Sequence, residues 1–237
     1  METIVYTYKT PKYQILKRTT NQRDWIIRSI ESARKVGYTN IELYTDDREF
    51  AKGLDIDKVH YISDDYEIWD SFKIWVLENR NDDYFLSDND VIYYDKIPFE
   101  NGVDIYFDGY EVLSWDMFYK PTMSYLEKNL IFNTIPIWSY SKRKVINIGI
   151  LKINNQKLKD DYIRYWKSLY YISKDDIESN NENYINITQI ISQYLLTLLV
   201  AEFNYIGKNY SGDDWTQHNL YYKHFAGNQK IKNIYPI

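Results

Sequence analysis

Strand and helix patterns alternate along the first half of this 237-residue chain, which predicts an α/β fold: a mostly parallel central sheet with helices on both faces. No linker, internal repeat or low-complexity stretch is long enough to divide the chain. One α/β core commonly reaches this size, so a single unit over residues 1–237 is expected. A third observation is local. The apolar run Asp83–Ser87 leads straight into Asp88-Asn89-Asp90 and sets two carboxylates at the C-terminal end of a strand, the edge where open parallel sheets collect ligands.

Taken in order, Thr3–Tyr8 is a β-branched and aromatic run and reads as the first strand. A helix follows from Asn21 to Val36, with Trp25, Ile26, Ile30 and Ala33 on one face and Gly37 as its stop. Ile41–Thr45 and Lys58–Ile62 are the second and third strands. The spacing of Ile68, Trp69, Phe72, Trp75 and Val76 predicts a helix from about Tyr66 to Asn79. Asp83–Ser87 is the fourth strand, and its tip should face the same crevice as Thr7-Tyr8-Lys9 at the tip of the first. Val103–Phe107 and Val145–Ile153 supply later strands. Two helical patterns, about Gln156–Tyr171 and Asn186–Phe203, precede an irregular tail, and the polar stretch Ser173–Asn183 reads as a surface loop between them.

Composition removes several classes. A net charge of −5 argues against a nucleic-acid partner, which needs a concentrated basic face. An acidic protein that binds a polyanion must neutralise it locally, by a metal or a few placed cations. With no cysteine there are no disulfides and no thiolate metal sites. The first residues, Met1-Glu2-Thr3-Ile4-Val5-Tyr6, lack the basic-then-apolar layout of a signal peptide. The most apolar stretch, Ile185 to Phe203, is interrupted by Gln189, Gln193 and Glu202, so it reads as a buried helix and not a membrane span. A cytoplasmic location is expected. The 26 tyrosines and 7 tryptophans could line a sugar site by face stacking, but most of them read as core.

The chemistry concentrates at two places. Asp88 and Asp90 lie two apart, and at a strand-to-turn transition both carboxylates can reach one ion. Alone they repel a diphosphate, whereas Mg2+ or Mn2+ between them reverses the sign. Near the other end, His224-Phe225-Ala226-Gly227-Asn228-Gln229-Lys230 offers an imidazole, a glycine backbone and an ammonium group at loop spacing. A nitrogen ligand from His224 favours Mn2+ over Mg2+.

In this layout the chain resembles the GT-A class of nucleotide-sugar glycosyltransferases, in which an apolar strand delivers the Asp-x-Asp; here Asp88-Asn89-Asp90 is followed by Val91-Ile92. The resemblance implies one GT-A-like domain, with about residues 1–95 as the nucleotide-binding half and about 96–237 as the acceptor and metal-closing half. Asp70-Ser71-Phe72-Lys73 looks like the D-x-x-R helix that precedes the metal motif, where the acid contacts the donor and the base approaches the diphosphate. Lys73 keeps the charge of that base but not the bidentate fork of Arg. The same pair also reads as a solvated i, i+3 ion pair. The tail segment resembles the H-x-x-G-x-x-K of retaining transferases such as the glycogenin and lipopolysaccharide galactosyltransferase group. It implies His224 as a metal ligand beside Asp88 and Asp90, Gly227 admitting the diphosphate to the backbone, and Lys230 contacting it. The family continues with Pro-Trp where this chain has Ile231-Lys232. Asn147-Ile148-Gly149 resembles the N-x-G floor of the sugar site, and a Gly in an apolar strand also marks a bulge or a close backbone approach. Gln189 and Gln193 lie where retaining relatives carry an acid or amide beside the donor sugar, although the family's Asp-Gln pair reads Thr188-Gln189 here. Buried amides that tie loops to the core are the competing explanation.

The resemblance therefore implies a metal-dependent transferase that moves a hexose from a UDP- or GDP-sugar to a saccharide or glycan acceptor, with the tail motif favouring retention. Asp90, Gln189 and Asp116 are the catalytic candidates. Thr7, Tyr8, Lys9, Asp70, Lys73, Asn89, Asn147, Gly149, Gly227 and Lys230 are the donor-binding candidates, and Asp88, Asp90 and His224 the metal ligands. An inverting route needs a carboxylate base for the acceptor hydroxyl, for which Asp116, Asp213 and Asp214 are available. His60 reads as structural and His218 as a neighbour of the tail site. Two other readings stay open: a non-catalytic carbohydrate-binding or degenerate glycosyltransferase-like module, and a metal-dependent phosphodiesterase or nuclease.

Overall fold

The computed structural model describes residues 2–10, 22–111, 119–120, 122, 144–178, 184–212 and 219–225. In chain order its elements are β1 (Thr3–Tyr8), α1 (Gln22–Lys35), β2 (Ile41–Thr45), α2 (Arg48–Ala51), β3 (Lys58–Tyr61), α3 (Ser71–Asn79), β4 (Tyr84–Ser87), β5 (Val91–Tyr93), β6 (Ile105–Glu111) and β7 (Val145–Ile153). They continue with α4 (Gln156–Ile172), α5 (Lys174–Glu178), α6 (Tyr184–Gln189), a π-helical turn (Ile190–Tyr194), α7 (Leu195–Glu202), β8 (Gly207–Asn209) and β9 (Tyr222–His224).

Seven strands form one sheet in the order β3-β2-β1-β4-β7-β6-β8. The β1–β2, β1–β4, β2–β3 and β6–β8 pairs are parallel, while β4–β7 and β6–β7 are antiparallel. The sheet is thus mostly parallel, as the alternating pattern predicts. Strands buried on both faces need apolar side chains in both directions. Ile4, Tyr6, Ile41, Leu43 and Phe85 pack with Ile26, Ile30 and Ala33 of α1. Their neighbours Val5, Tyr44 and Leu86 point the other way, into a second cluster with Ile74 and Leu77 of α3 and Trp166 and Leu169 of α4. Helix α1 stops where expected: Gly37 takes φ +94°, and the amide of Tyr38 turns back to the Ala33 carbonyl at 3.0 Å.

Four expectations need correction. Helix α3 starts at Ser71 and not at Tyr66. The ammonium of Lys9 takes the Tyr66 carbonyl and the Asp64 carboxylate, while the amides of Tyr66 and Glu67 donate to Asp64 Oδ1 (3.1 Å) and the Tyr170 hydroxyl (3.1 Å), so groups a helix would use are spent elsewhere. β6 runs on to Glu111, well beyond Phe107, because the acids in it face partners inside the protein. Part of the expected loop after Ser173 is helical, and Ser173 itself is buried as the C-cap of α4. The tail contains β8 and β9, and β9 pairs with β5 in a separate two-stranded ribbon. Among the described residues no helix is long and apolar enough to cross a membrane.

Candidate metal centre

Parallel pairing of β1 with β4 sets Tyr6 opposite Ser87, so Thr7–Lys9 and Asp88–Asp90 leave the sheet at one edge. The amide of Asp88 still donates to the Gly149 carbonyl of β7 at 2.7 Å, and only then does the chain turn into β5. A buried run of hydroxyls backs this turn. Tyr93 donates to Ser87 Oγ (2.7 Å), Ser87 Oγ donates to the Asp88 carbonyl (3.1 Å), and Ser29 Oγ, paired with the Tyr6 hydroxyl, donates to the Val91 carbonyl (2.5 Å). Satisfied networks of this kind hold one geometry.

The β5–β9 ribbon brings in the imidazole. Val91 is opposite His224, and the amide of Phe225 donates to the Asp90 carbonyl at 3.0 Å. His224 Nε2 lies 3.1 Å from Asp90 Oδ1 and 3.6 Å from Asp88 Oδ2, and Nδ1 lies 2.7 Å from Asp108 Oδ2. One ligand atom each from Asp88, Asp90 and His224 falls within 4.8 Å of the others. Burial alone pulls the imidazole pKa down, but the Asp90 charge and the hydrogen bonds to Asp108 and Asp90 outweigh it and lift it to about 10. The site therefore has a strong preference for positive charge. Two carboxylate oxygens and one imidazole nitrogen converging on one point fit a divalent cation such as Mn2+ or Mg2+.

An irregularity between β6 and β7 shapes the floor. Phe107 is opposite Leu151 and Gly109 opposite Asn147, which leaves Ile148, Gly149 and Ile150 facing Asp108 alone. The displaced backbone is anchored by side chains: the Ile148 carbonyl accepts from Lys73 Nζ at 3.1 Å, and the Gly149 amide donates to Asn147 Oδ1 at 2.8 Å. A Cβ on Gly149 would overlap the His224 ring and lie 3.0 Å from Asn147 Oδ1. Both readings of this glycine, bulge and close approach, thus describe one feature.

Lys73 is not a solvated partner of Asp70. It is 3% exposed, and its ammonium sits 2.5 Å from Asp88 Oδ1. Asp70 precedes α3 without capping it, is buried, and leaves Oδ1 without a partner. Burial lifts its pKa to about 6, against the Ser192 hydrogen bond and the Lys73 charge and with the Asp88 charge adding to the rise.

The other candidates fall in different places. Thr7 and Tyr8 are half-buried, and the Tyr8 ring stacks on Phe50 at 3.4 Å. Lys9 is clamped by Asp64, the Tyr66 carbonyl and Ser71 Oγ. Asn89 is half-buried between the two acids, with Oδ1 shut off from solvent and lacking a partner. Asn147 Nδ2 donates to Glu111 Oε1 at 2.7 Å. Gln189 ends α6, half-buried, just before the π-helical turn, and Gln193 in that turn meets the Tyr119 hydroxyl at 2.5 Å. His60 bonds Glu42 at 2.8 Å and stacks on Tyr44, on strands β2 and β3. Asp116, Asp213, Asp214, His218, Gly227 and Lys230 lie outside the described residues. Two buried acids beside the site were not singled out from the sequence, Asp108 and Glu111. Their signal was the pair of carboxylates in Ile105–Glu111, otherwise a strand of apolar, aromatic and glycine residues.

No family model and no curated protein matches the chain. Solved structures resemble it, and two of them are glycosyltransferases by name. One is galactosyltransferase LgtC in complex with donor and acceptor sugar analogs, 12% identical over 81% of this chain and 71% of that one, with a TM-score of 0.47. The other is glycosyltransferase GlyE of Streptococcus pneumoniae TIGR4, 12% identical over 81% of this chain and 44% of that one, with a TM-score of 0.41. At that identity and superposition neither assigns an activity or a residue role to this chain.

Proposed function

We propose that the chain is a metal-dependent glycosyltransferase that moves a hexose from a UDP- or GDP-sugar to a saccharide or glycan acceptor with retention at the anomeric carbon. The observation that carries this reading is the convergence of Asp88, Asp90 and His224 within 4.8 Å at the C-terminal edge of the parallel strands. The Asp-x-Asp resemblance implies that layout. Asp88 and Asp90 would hold Mn2+ or Mg2+ through carboxylate oxygens, and His224 through Nε2. A bound ion supplies the positive charge that stabilises a departing nucleoside diphosphate.

The chain's own residues prepare the site. Lys73 holds Asp88 by Oδ1, which leaves Oδ2 turned towards His224. Gly149 keeps the space against the imidazole clear, and Asn147 is fixed beside it by Glu111. In the transfer the bond between the anomeric carbon and the phosphate oxygen breaks, and its electron pair leaves with the diphosphate. A bond forms from the acceptor oxygen to the same face of that carbon, and the acceptor proton passes to the departing phosphate. This front-face route requires no carboxylate base on the opposite side of the sugar.

The test is a screen of UDP- and GDP-hexoses for nucleoside diphosphate release in Mn2+ and in EDTA, with thermal shift on the same samples. Turnover and nucleotide stabilisation should both require Mn2+, and Asp90→Ala should lose turnover while keeping its circular dichroism spectrum. Undiminished turnover in that variant overturns the proposal, and stabilisation by free glycans alone, in EDTA as in Mn2+, replaces it with a binding module.

A further inference from the structure

Neither the Asp-x-Asp nor the tail motif contains Asp108, yet the hydrogen bonds of the site run through it. It is 0% exposed, and a carboxylate buried that deeply is costly unless its oxygens are satisfied. Both are: Oδ1 accepts from Ser211 Oγ at 2.9 Å, and Oδ2 meets His224 Nδ1 at 2.7 Å. Its backbone is pinned as well, because its carbonyl accepts from the amides of Tyr210 (3.2 Å) and Ser211 (2.9 Å) and from the Tyr222 hydroxyl (3.4 Å). Asp108 thus grips two of the three residues of β9, and it does so from the position that faces the β7 bulge.

The consequence lies in the two nitrogens of the imidazole. A carboxylate that accepts from Nδ1–H keeps the proton at that end of the ring and leaves Nε2, at the opposite end, as the nitrogen whose lone pair a cation would take once its proton is displaced. That end faces Asp90 and Asp88. The ring stands between Asp108 and the other two acids, so Asp108 is placed to act on the ligand and not on the ion.

We propose that Asp108 is a positioning residue of the metal centre, acting through His224 to fix ring orientation and tautomer so that Nε2 joins Asp88 and Asp90 on a divalent cation. This rests on the metal-binding part of the proposed function.

The test is calorimetric titration of Mn2+ into the wild-type chain, Asp108→Asn, Asp108→Ala, His224→Ala and the Asp108→Ala/His224→Ala double variant, with melting curves to confirm folding. Removing an outer partner of a metal ligand weakens affinity about 10–100-fold, the loss expected for Asp108→Ala. Asp108→Asn should fall between it and the wild type, since an amide oxygen still accepts from Nδ1–H. A residue that acts only through His224 should cost nothing further once His224 is gone. Wild-type affinity in folded Asp108→Ala, or the same loss with and without His224, overturns the assignment. Should Asp108→Ala not fold, Asp108→Asn with and without His224→Ala decides the question by the same two criteria. Failure of the wild type itself to bind Mn2+ removes the proposed metal dependence and this role together, whereas normal wild-type binding with additive losses removes the role of Asp108 alone.

Discussion

The Cα of Gly149 lies against the imidazole of His224 so closely that a single methyl group would occupy the space of the ring. The strand has no room to yield, because the amide and carbonyl of Gly149 are committed to Asn147 and Asp88. Gly149→Ala should therefore push the imidazole off its position. Overpacking of this kind costs about 1–3 kcal/mol, which taken from the site alone is roughly 5–150-fold in Mn2+ affinity. Mn2+ titration of the variant checks this, and wild-type affinity would show that the ring does not need its present place.

Lys73 neutralises Asp88 from beneath the site. Lys73→Met should lower stability in EDTA by an amount between the about 1 kcal/mol of exposed pairs and the about 3–5 kcal/mol of fully buried ones, since the Asp88 side chain is 23% exposed. On the proposed reading a bound cation would take over the neutralisation. The gain in melting temperature on adding Mn2+ should thus be larger in Lys73→Met than in the wild type, and equal gains would mean that the two cations do not share Asp88.

The Tyr119 hydroxyl stands between Glu111 Oε2 (2.9 Å) and Gln193 Oε1 (2.5 Å), all three residues buried. Tyr119→Phe keeps the ring and removes the link. Leaving buried polar atoms short of a partner costs about 1–3 kcal/mol, to be read from urea denaturation. A change under a few tenths would place the hydroxyl outside the energetics of the fold.

Acid stability should depend on the Glu42–Arg80–Asp82 cluster. Arg80 Nη1 lies 2.6 Å from Glu42 Oε2 and Nε lies 2.5 Å from Asp82 Oδ1. Burial raises the Glu42 pKa, but Arg80 and His60 more than reverse it; the hydrogen bond from Arg80 lowers that of Asp82 against a smaller burial effect. Both folded values lie below the unfolded ones. Their stabilisation is full above the ordinary carboxylate range near about 4 and is lost as pH falls through the depressed values. Unfolding free energy measured from pH 6 down to pH 3 should show this decline, and Arg80→Met should flatten it.

The parallel half of the sheet was legible because β1, β2 and β4 are short runs dominated by β-branched, aromatic and leucine residues, broken only by Glu42 and Ser87. What escaped depends on distant partners. The start of α3 is set by Lys9, 57 positions from the Tyr66 carbonyl it takes. The π-helical turn sits in a segment that is buried all round, where a shift of one residue leaves no trace in the hydrophobic period. β8 and β9 are three residues each, too short for any period to register.

The site divides in the same way. Asp88, Asp90 and His224 could be named from their motifs, but their approach is fixed by the β5–β9 ribbon, which no local pattern announces. Asp108 looked like one acid among 34 until the ring it holds was in place.

His224 lies 116 positions after Asp108. On the ribosome, at about 5–20 residues per second, that separation is roughly 6–23 s of synthesis. During that interval β1, β2, β3 and β4 already exist as chain, while the imidazole that lies 3.1 Å from Asp90 in the folded protein has still to be made. The Asp88–Asp90 pair therefore gains its imidazole only when a late three-residue strand docks.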